Sequence, residues 1–253
     1  MTVKELYEKM NDLMPPSLSC DWDNDGLMCS PDTSREVKNV LCTLDVTKYA
    51  IEYAQDMGID LIISHHPLIF NRLSHISDDD YVAKKVISLI KSGISVFSFH
   101  TRADMFCDGV NKRLADIIGL HDVVPFGPEN EKMGRIGYVE PCSIEKFARS
   151  VKEKLSSPAI LFSGNRKVHK VALLGGDGKD FVGAAIAEGA DTYLTGRINY
   201  NITLMAEELG INLIEAGHYY TEKHIASFYA ECIRKFCPEA SCRIFCSNTI
   251  QII

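Results

Sequence analysis

Residues 37–64, VKNVLCTLDVTKYAIEYAQDMGIDLIIS, decide the fold class. The apolar run Val37–Asp45 predicts a short strand that ends in an acid, and Lys48–Met57 has its apolar residues at helical spacing. Gly58 ends that helix, and Ile59–Ser64 is a second apolar run, typical of a strand that is buried on both faces. A strand, a helix and another strand in this order predict parallel strands with the helix packed on the sheet.

The alternation of strands and helices continues on both sides of this unit. Further helices are predicted over Val3–Leu13, Asp80–Lys91, Gly109–Ile118, Ile144–Leu155, Phe181–Glu188, Ile202–Leu209 and Lys223–Phe236. Further strands are predicted over Ile94–Phe99, Val168–Leu174, Thr192–Leu194, Asn212–Ile214 and Cys242–Ile252. Prolines and glycines interrupt the alternation in residues 121–141 and indicate a domain boundary. We therefore predict two α/β domains with mixed, largely parallel sheets flanked by helices: residues 1–125 completed by 225–253, and residues 126–224.

The composition excludes several classes of protein. Hydrophobic residues make up 46% and charged residues 24% of the chain, which are the proportions of a globular protein and not of a disordered or fibrous one. The formal net charge of -7 argues against a nucleic-acid partner, because such proteins usually carry basic surfaces. The N-terminus lacks a signal-peptide core, and no apolar run is long enough to cross a membrane. Nine irregularly spaced cysteines favour reduced thiols and therefore a cytoplasmic location.

Residues of the types that bind metal ions follow three predicted strands. They are His65 and His66 after the first strand, His100 and Asp104 after the second, and His218 and Glu222 after the third. Taken singly, each group has a plainer interpretation, such as a solvated turn or a helix cap. Together, imidazole nitrogens and carboxylate oxygens without thiolates suit Zn, Mn or Fe. These histidines and carboxylates are more than one four-coordinate site with an open position needs. Their number is typical of a site that holds two ions about 3.5–4 Å apart.

Two other motifs carry weaker signals. Four cysteines near the C-terminus lack the paired CxxC spacing of structural zinc sites, which argues against a thiolate site at Cys232, Cys237, Cys242 and Cys246. The glycine-rich turn Gly175–Gly178 lies between a predicted strand and a helix. It is open to two interpretations, a phosphate-binding loop or a tight turn between the two elements.

With these segments assembled, the chain resembles the GTP cyclohydrolase 1 type 2 family, also called the NIF-three-like or dinuclear metal centre family. The matching segments span nearly the whole chain: DWDNDGL at 21–27, SHHPLIF at 64–70, HTRAD at 100–104 with GVN at 109–111, YLTGR at 193–197 and AGHYYTE at 216–222. The resemblance implies two divalent ions (Zn, Fe or Mn) in a cleft between the two domains, held by His65, His66, Asp104, His218 and Glu222. It also implies a homohexameric ring.

The chain departs from the family pattern at two places. Arg102 and Ala103 replace the middle pair of the family's HTNLD segment, and Arg197 stands where the family often has an acid. The added positive charge of Arg197 either favours an anionic ligand or weakens the binding of a second metal ion.

The leading functional hypothesis is therefore a metal-dependent hydrolase that opens the imidazole ring of GTP or a related nucleotide with metal-activated water. Glu222 is the candidate bridging carboxylate, and no general acid is assigned. Arg197, Lys179 and the turn Gly175–Gly178 are candidates for holding the triphosphate. The alternative is a non-catalytic metal-binding scaffold or regulatory protein that forms a homo-oligomeric ring.

Overall fold

The structure is a computed structural model, and it describes residues 1–250. The described strands are β1 Gly26–Cys29, β2 Asn39–Thr43, β3 Leu61–Ser64, β4 Ser95–Ser98, β5 His121–Phe126, β6 Gly134–Cys142, β7 Leu161–Ser163, β8 Val168–Leu174, β9 Thr192–Thr195, β10 Asn212–Glu215 and β11 Ser241–Phe245. The described α-helices are α1 Val3–Leu13, α2 Lys48–Asp56, α3 Tyr81–Lys91, α4 Thr101–Met105, α5 Val110–Ile118, α6 Ile144–Leu155, α7 Val182–Ala187, α8 Tyr200–Leu209, α9 His218–Glu222 and α10 Ile225–Phe236.

The chain divides into two compact units. The first comprises Met1–Ala103 with Ile225–Ser247, and the second comprises Asp104–His224 with a short segment that begins at Asn248. The sequence-based division also returns the C-terminal part of the chain to the first domain. It differs in assigning residues 104–125 and the segment that begins at Asn248 to the first domain, where the structure groups both with the second.

The first unit is built on a five-stranded sheet in the order β1-β4-β3-β2-β11, in which only β1 runs antiparallel to its neighbour. Its central strand β3 is buried at every residue, because helices cover the sheet and its side chains are all apolar up to Ser64. The register pairs Ser64 with both Thr43 and Ser98. The loops that follow β2, β3 and β4 therefore leave the sheet side by side.

The second unit is built on a six-stranded mixed sheet in the order β5-β6-β8-β9-β10-β7. Strands β8, β9 and β10 are parallel, and the register aligns Leu174, Thr195 and Glu215 at their carboxyl ends. The glycine-rich turn, the loop after β9 and the short helix α9 consequently begin at one edge of this sheet. Such an edge is where α/β sheets usually bind ligands.

The stretch 121–141, predicted as a domain boundary, forms the antiparallel pair β5 and β6. The prolines and glycines of this stretch are compatible with a sheet. Pro125 lies in the edge strand β5, where a missing backbone N–H is tolerated. Gly134 and Gly137 lie where a Cβ atom would overlap the ring of Phe126 and crowd the carbonyl oxygen of His121. The glycines that indicate a linker in the sequence are therefore required by close packing within the sheet.

The predicted fold class is confirmed: the chain has two mixed α/β sheets flanked by helices. Helices α1 and α6 and strand β8 match their predicted bounds. The predicted last strand, Cys242–Ile252, is shorter in the structure and corresponds to β11, while its residues 251 and 252 lie outside the described part of the chain. Within residues 1–250, no helix is both long enough and apolar enough to cross a membrane.

Candidate metal centre

Three imidazole rings gather at the carboxyl edge of the first sheet. His65 and His66 follow β3 directly, and His100 follows β4 after one residue. The ring centroids are 5.1 Å apart for His65 and His66, 5.1 Å for His65 and His100, and 5.8 Å for His66 and His100. One ring nitrogen of each residue lies within 4.8 Å of the other two. We call these three residues the histidine cluster.

Each ring of the histidine cluster is fixed through its Nδ1 atom. The contacts are His65 Nδ1 to the carbonyl oxygen of Phe99 at 3.0 Å, His66 Nδ1 to Oδ1 of Asp45 at 2.7 Å, and His100 Nδ1 to Oδ1 of Asp23 at 2.9 Å. Carbonyl and carboxylate oxygens accept hydrogen bonds, so each Nδ1 carries a proton and donates it to its partner. A carboxylate or carbonyl behind the imidazole is the usual support of a metal-binding histidine. The cluster therefore has the donor chemistry of a divalent cation site.

Asp23 is the most strongly held of these supporting groups. Its side chain is fully buried and accepts hydrogen bonds from His100 Nδ1 and from the backbone N–H and the hydroxyl of Thr101. Burial by itself raises the pKa of Asp23. The hydrogen bonds from His100 and Thr101 outweigh burial and hold the pKa well below its usual range. Asp23 is therefore ionised at neutral pH and fixes the orientation of His100.

Arg102 explains one departure from the family pattern. Both it and Asp25 are buried, and they form a two-pronged ion pair, from Nη2 to Oδ1 at 2.6 Å and from Nε to Oδ2 at 2.9 Å. Its remaining hydrogen bonds go to Asn11, Met14 and Ser19. Asp25 also accepts a hydrogen bond from the backbone N–H of His100. Arg102 thus anchors the acidic loop that carries Asp23, and it acts on the histidine cluster through that loop.

The second unit carries its candidate ligands on α9 and at its own N-terminus. His218 and Glu222 are one turn apart on α9, and His218 Nε2 lies 2.9 Å from Oε2 of the buried Glu222. Asp104 is also buried, and Asn111 donates a hydrogen bond to it over 3.4 Å. The amide oxygen of Asn111 accepts a bond from Gly175 N at 2.7 Å. Asn111 therefore links Asp104 to the same sheet edge at which α9 begins.

The glycine-rich turn does not form a phosphate loop. Its backbone N–H groups donate to side chains of the second unit: Gly175 to Asn111, Gly176 to Thr221 and Gly178 to Thr195. Because these donors are engaged, the turn presents no row of amides to an anion. Of the other candidates for holding a triphosphate, Lys179 pairs with Asp177 at 2.7 Å, and Arg197 is exposed.

The turn instead makes room for the α9 ligands. Gly176 has a φ of +66°, and a Cβ atom there would overlap Oε1 of Glu222 and approach Nε2 of His218 to 3.3 Å. A Cβ atom on Gly196 would lie 2.7 Å from Cα of His218. The glycines are therefore required by the close approach of backbone to the candidate ligands.

Cysteines form no comparable site. Among residues 1–250, no three cysteine sulfurs lie within 4.8 Å of one another. Cys242 lies beside Cys42 instead, with a sulfur-to-sulfur distance of 3.6 Å between strands β11 and β2.

Three residues of the site were not assigned from the sequence. The predicted ligand set leaves out His100, although this residue follows a predicted strand, and no role is predicted for Asp23 or Asp45. The available signals were the acid that ends the strand before α2 and the acid-rich loop 21–26 with its tryptophan. Asp23 precedes His100 by 77 residues, and no local spacing rule connects them.

The chain is an α/β protein with two mixed sheets, and imidazole and carboxylate groups follow the carboxyl ends of its strands. Comparison with known proteins gives the family. A profile of the family described as Duf34/NIF3 (NGG1p interacting factor 3) matches residues 1–251. The chain belongs to this family.

Relatives extend the match over most of the chain. A Helicobacter pylori protein named GTP cyclohydrolase 1 type 2 is 31% identical over 255 residues, which cover 99% of each chain. A Clostridium perfringens protein named GTP cyclohydrolase 1 type 2 homolog is 32% identical over 230 residues, which cover 88% of this chain and 87% of the relative. The crystal structure of Staphylococcus aureus protein SA1388 superposes with a TM-score of 0.89 at 25% identity, covering 100% of this chain and 99% of that one.

Proposed function

We propose that the chain is a divalent-metal-dependent hydrolase with a dinuclear centre. The proposed ligands are the five residues assigned from the sequence, to which the histidine cluster adds His100: His65, His66, His100, Asp104, His218 and Glu222. The proposal requires the ligands of the two units to act together, as the resemblance to the family implies. Zn, Mn and Fe suit this set of nitrogen and oxygen donors.

The observation that supports this proposal most directly is the set of hydrogen bonds that fix the three rings of the histidine cluster. Three imidazoles have their Nδ1 atoms bonded to oxygen acceptors, and their remaining nitrogens converge. One nitrogen of each ring lies within 4.8 Å of the other two, which is close enough for all three to coordinate one cation. An arrangement that served packing alone has no need of a buried carboxylate behind an imidazole. Asp23 and Asp45 hold His100 and His66 in the form that coordinates a cation.

Divalent ions bound at such a centre polarise a substrate and lower the pKa of a bound water towards neutrality. The protein's own groups supply the rest. Asp23 and Thr101 keep His100 in one orientation, and the low pKa of Asp23 keeps that carboxylate ionised. In the second unit, Asn111 and the close-packed glycine turn hold Asp104 and Glu222 in place.

For the substrate we propose GTP or a related nucleotide, with hydrolytic opening of the guanine imidazole ring and release of formate. The support is the name of the Helicobacter pylori relative, GTP cyclohydrolase 1 type 2, at 31% identity over both whole chains. The electrostatics of the exposed Arg197 agree with an anionic substrate.

The test is formate release from GTP by the purified protein supplied with Zn, Mn or Fe. We expect turnover in the native protein, its loss in His66→Ala, and its retention in His121→Ala, an exposed histidine of β5. Tight metal binding without formate from any nucleotide would refute the hydrolase and support the alternative, a non-catalytic metal-binding scaffold or regulatory protein.

We also propose that the chain assembles into a homohexameric ring in the cytoplasm. The exposed apolar side chains of the edge strand β7, Leu161 and Phe162, support self-association. The thiols of Cys42 and Cys242 lie 3.6 Å apart and persist as thiols in a reducing compartment. Sedimentation equilibrium tests the assembly, with an expected mass of six 28.2 kDa chains; a monomeric mass contradicts it.

A further inference from the structure

Two large aromatic side chains stand half exposed beside the histidine cluster. Trp22 is 56% exposed and Phe70 is 49% exposed. Their ring centroids are 6.4 Å apart, and each lies close to the ring of His100, at 6.3 Å for Trp22 and 6.2 Å for Phe70. Both meet the imidazole nearly at right angles, at 79° and 85°. We call Trp22 and Phe70 the aromatic platform.

The platform is held in place before any ligand arrives. Trp22 precedes Asp23, which is fixed to His100 and Thr101, and Asn24 donates a hydrogen bond to the carbonyl oxygen of Ile69, the neighbour of Phe70. The two loops that carry the rings are therefore tied to each other and to the cluster. A preorganised pair of rings loses little conformational entropy when a ligand binds, which favours a binding role over a chance exposure.

A cavity adjoins the platform. Its volume is about 450 Å³, and Phe70, Arg72, His75, Tyr81 and Lys85 are among its lining residues. This size lies within the usual range of small-molecule sites, roughly 300–1,000 Å³. Phe70 belongs to both the cavity and the platform, so the cavity and the platform adjoin at this residue.

The charges that line the cavity favour an anion. Lys85 is held by the carbonyl oxygen of Val46 and lies over the ring of Tyr81, and Asp80 is occupied in capping the backbone N–H groups at the start of α3. Arg72 is exposed, and within residues 1–250 no carboxylate lies within ion-pair distance of its guanidinium. Arg72 is thus the cation available to a ligand.

We propose that the aromatic platform binds the base of a purine nucleotide, with the phosphate directed towards Arg72. Every base has a flat π face, and stacking on exposed aromatic side chains is a general way of binding it. The half-exposed rings, the adjoining cavity of small-molecule size and the exposed guanidinium of Arg72 favour this occupant over a protein partner. The inference rests on the proposed function for the identity of the nucleotide, but the platform lies wholly within the first unit and binds without metal or turnover.

Trp22 is the only tryptophan of the chain, so its fluorescence reports on the platform directly. The experiment titrates the metal-free protein with GMP, exciting at the red edge of indole absorption, where nucleotides absorb little. We expect saturable quenching by GMP and by guanosine, and none by ribose 5-phosphate. Phe70→Ala should weaken GMP binding about 5- to 100-fold, the range found for loss of one stacking ring. Phe70→Tyr, which keeps a ring, should bind nearly as the native protein does.

Two further variants separate the parts of the site. Arg72→Ala should weaken binding of GMP and leave guanosine unchanged, and Tyr49→Ala, which removes an exposed aromatic ring of α2, should leave both unchanged. Absence of quenching by GMP, equal quenching by ribose 5-phosphate, or an unaltered Phe70→Ala variant overturns the proposal. So does emission that changes on dilution without ligand together with a lower mass for Phe70→Ala, because the platform is then an interface between copies. Failure of formate release alone refutes the hydrolase and leaves the platform standing.

Discussion

Replacing Arg102 by Met removes the anchor of the acidic loop while keeping an apolar side chain of similar length. Asp25, whose side chain is 3% exposed, is left as a buried carboxylate without its ion-pair partner. Breaking a buried ion pair by removing one partner costs about 3–5 kcal/mol of folding free energy. A typical protein of this kind has a free energy of unfolding of only about 5–15 kcal/mol. We therefore expect Arg102→Met to be among the most destabilising single changes in the first unit.

The assay is unfolding in urea, followed by circular dichroism for the whole chain and by Trp22 fluorescence for the loop that Arg102 anchors. The matched control is Lys48→Met, since Lys48 pairs at 3.5 Å with Glu52 and both side chains are more than half exposed. An ion pair with an exposed partner contributes roughly 0–1 kcal/mol, so the control should unfold close to the native protein.

A companion variant tests the cause of the loss. Asp25→Asn in the Arg102→Met background removes the stranded charge, so the double variant should recover part of the stability lost in Arg102→Met. A loss below about 1 kcal/mol in Arg102→Met, where the ion-pair argument requires about 3–5, would refute the account of this buried pair. So would a double variant that is less stable than the sum of the two single changes.

Other predictions concern the supports of the candidate centre. Asp23→Asn and Asp45→Asn should each weaken zinc binding about 10- to 100-fold in chelator competition, as expected for loss of a supporting carboxylate. Asp23→Asn should have the larger effect because its side chain is buried whereas Asp45 is 45% exposed; equal, small effects would contradict this. Gly176→Ala should displace Glu222 and lower metal content, whereas Gly183→Ala in α7, where a Cβ meets nothing within 4 Å, should be neutral or slightly stabilising. If Gly176→Ala keeps its metal content, close packing against Glu222 is not the reason why residue 176 is a glycine.

Sequence reasoning performed best where one local pattern decides one element. The apolar run before His65 and the glycines after α2 and α5 mark a buried strand and two helix ends without any tertiary information. The same pattern places His65 and His66 directly after that strand, and their role as metal ligands stays a prediction that the family resemblance implies.

The sequence analysis was less informative where a residue's role depends on a distant partner. In the sequence, Pro125 and Gly134 suggest a linker. In the structure, the ring of Phe126 packs where a Cβ atom of residue 134 would lie, so a glycine is required there. In the sequence, the glycine-rich turn is a possible phosphate loop. In the structure, its backbone N–H groups donate hydrogen bonds to the side chains of Asn111 and Thr221 instead. His100 is recognised as a candidate ligand because Asp23 accepts a hydrogen bond from its ring. The two residues are 77 positions apart in the sequence, so no periodic pattern connects them.

The central claim is that imidazoles and carboxylates from separate parts of the chain hold paired divalent ions. The most direct test is elemental analysis of the native protein after loading with zinc and removal of the excess, alongside His66→Ala, Glu222→Ala and the control His121→Ala. The account predicts two ions per chain in the native protein and in the control, with loss of bound metal in the two ligand variants while circular dichroism shows the fold intact. One ion or none in the native protein, or two ions retained by both ligand variants, would contradict it.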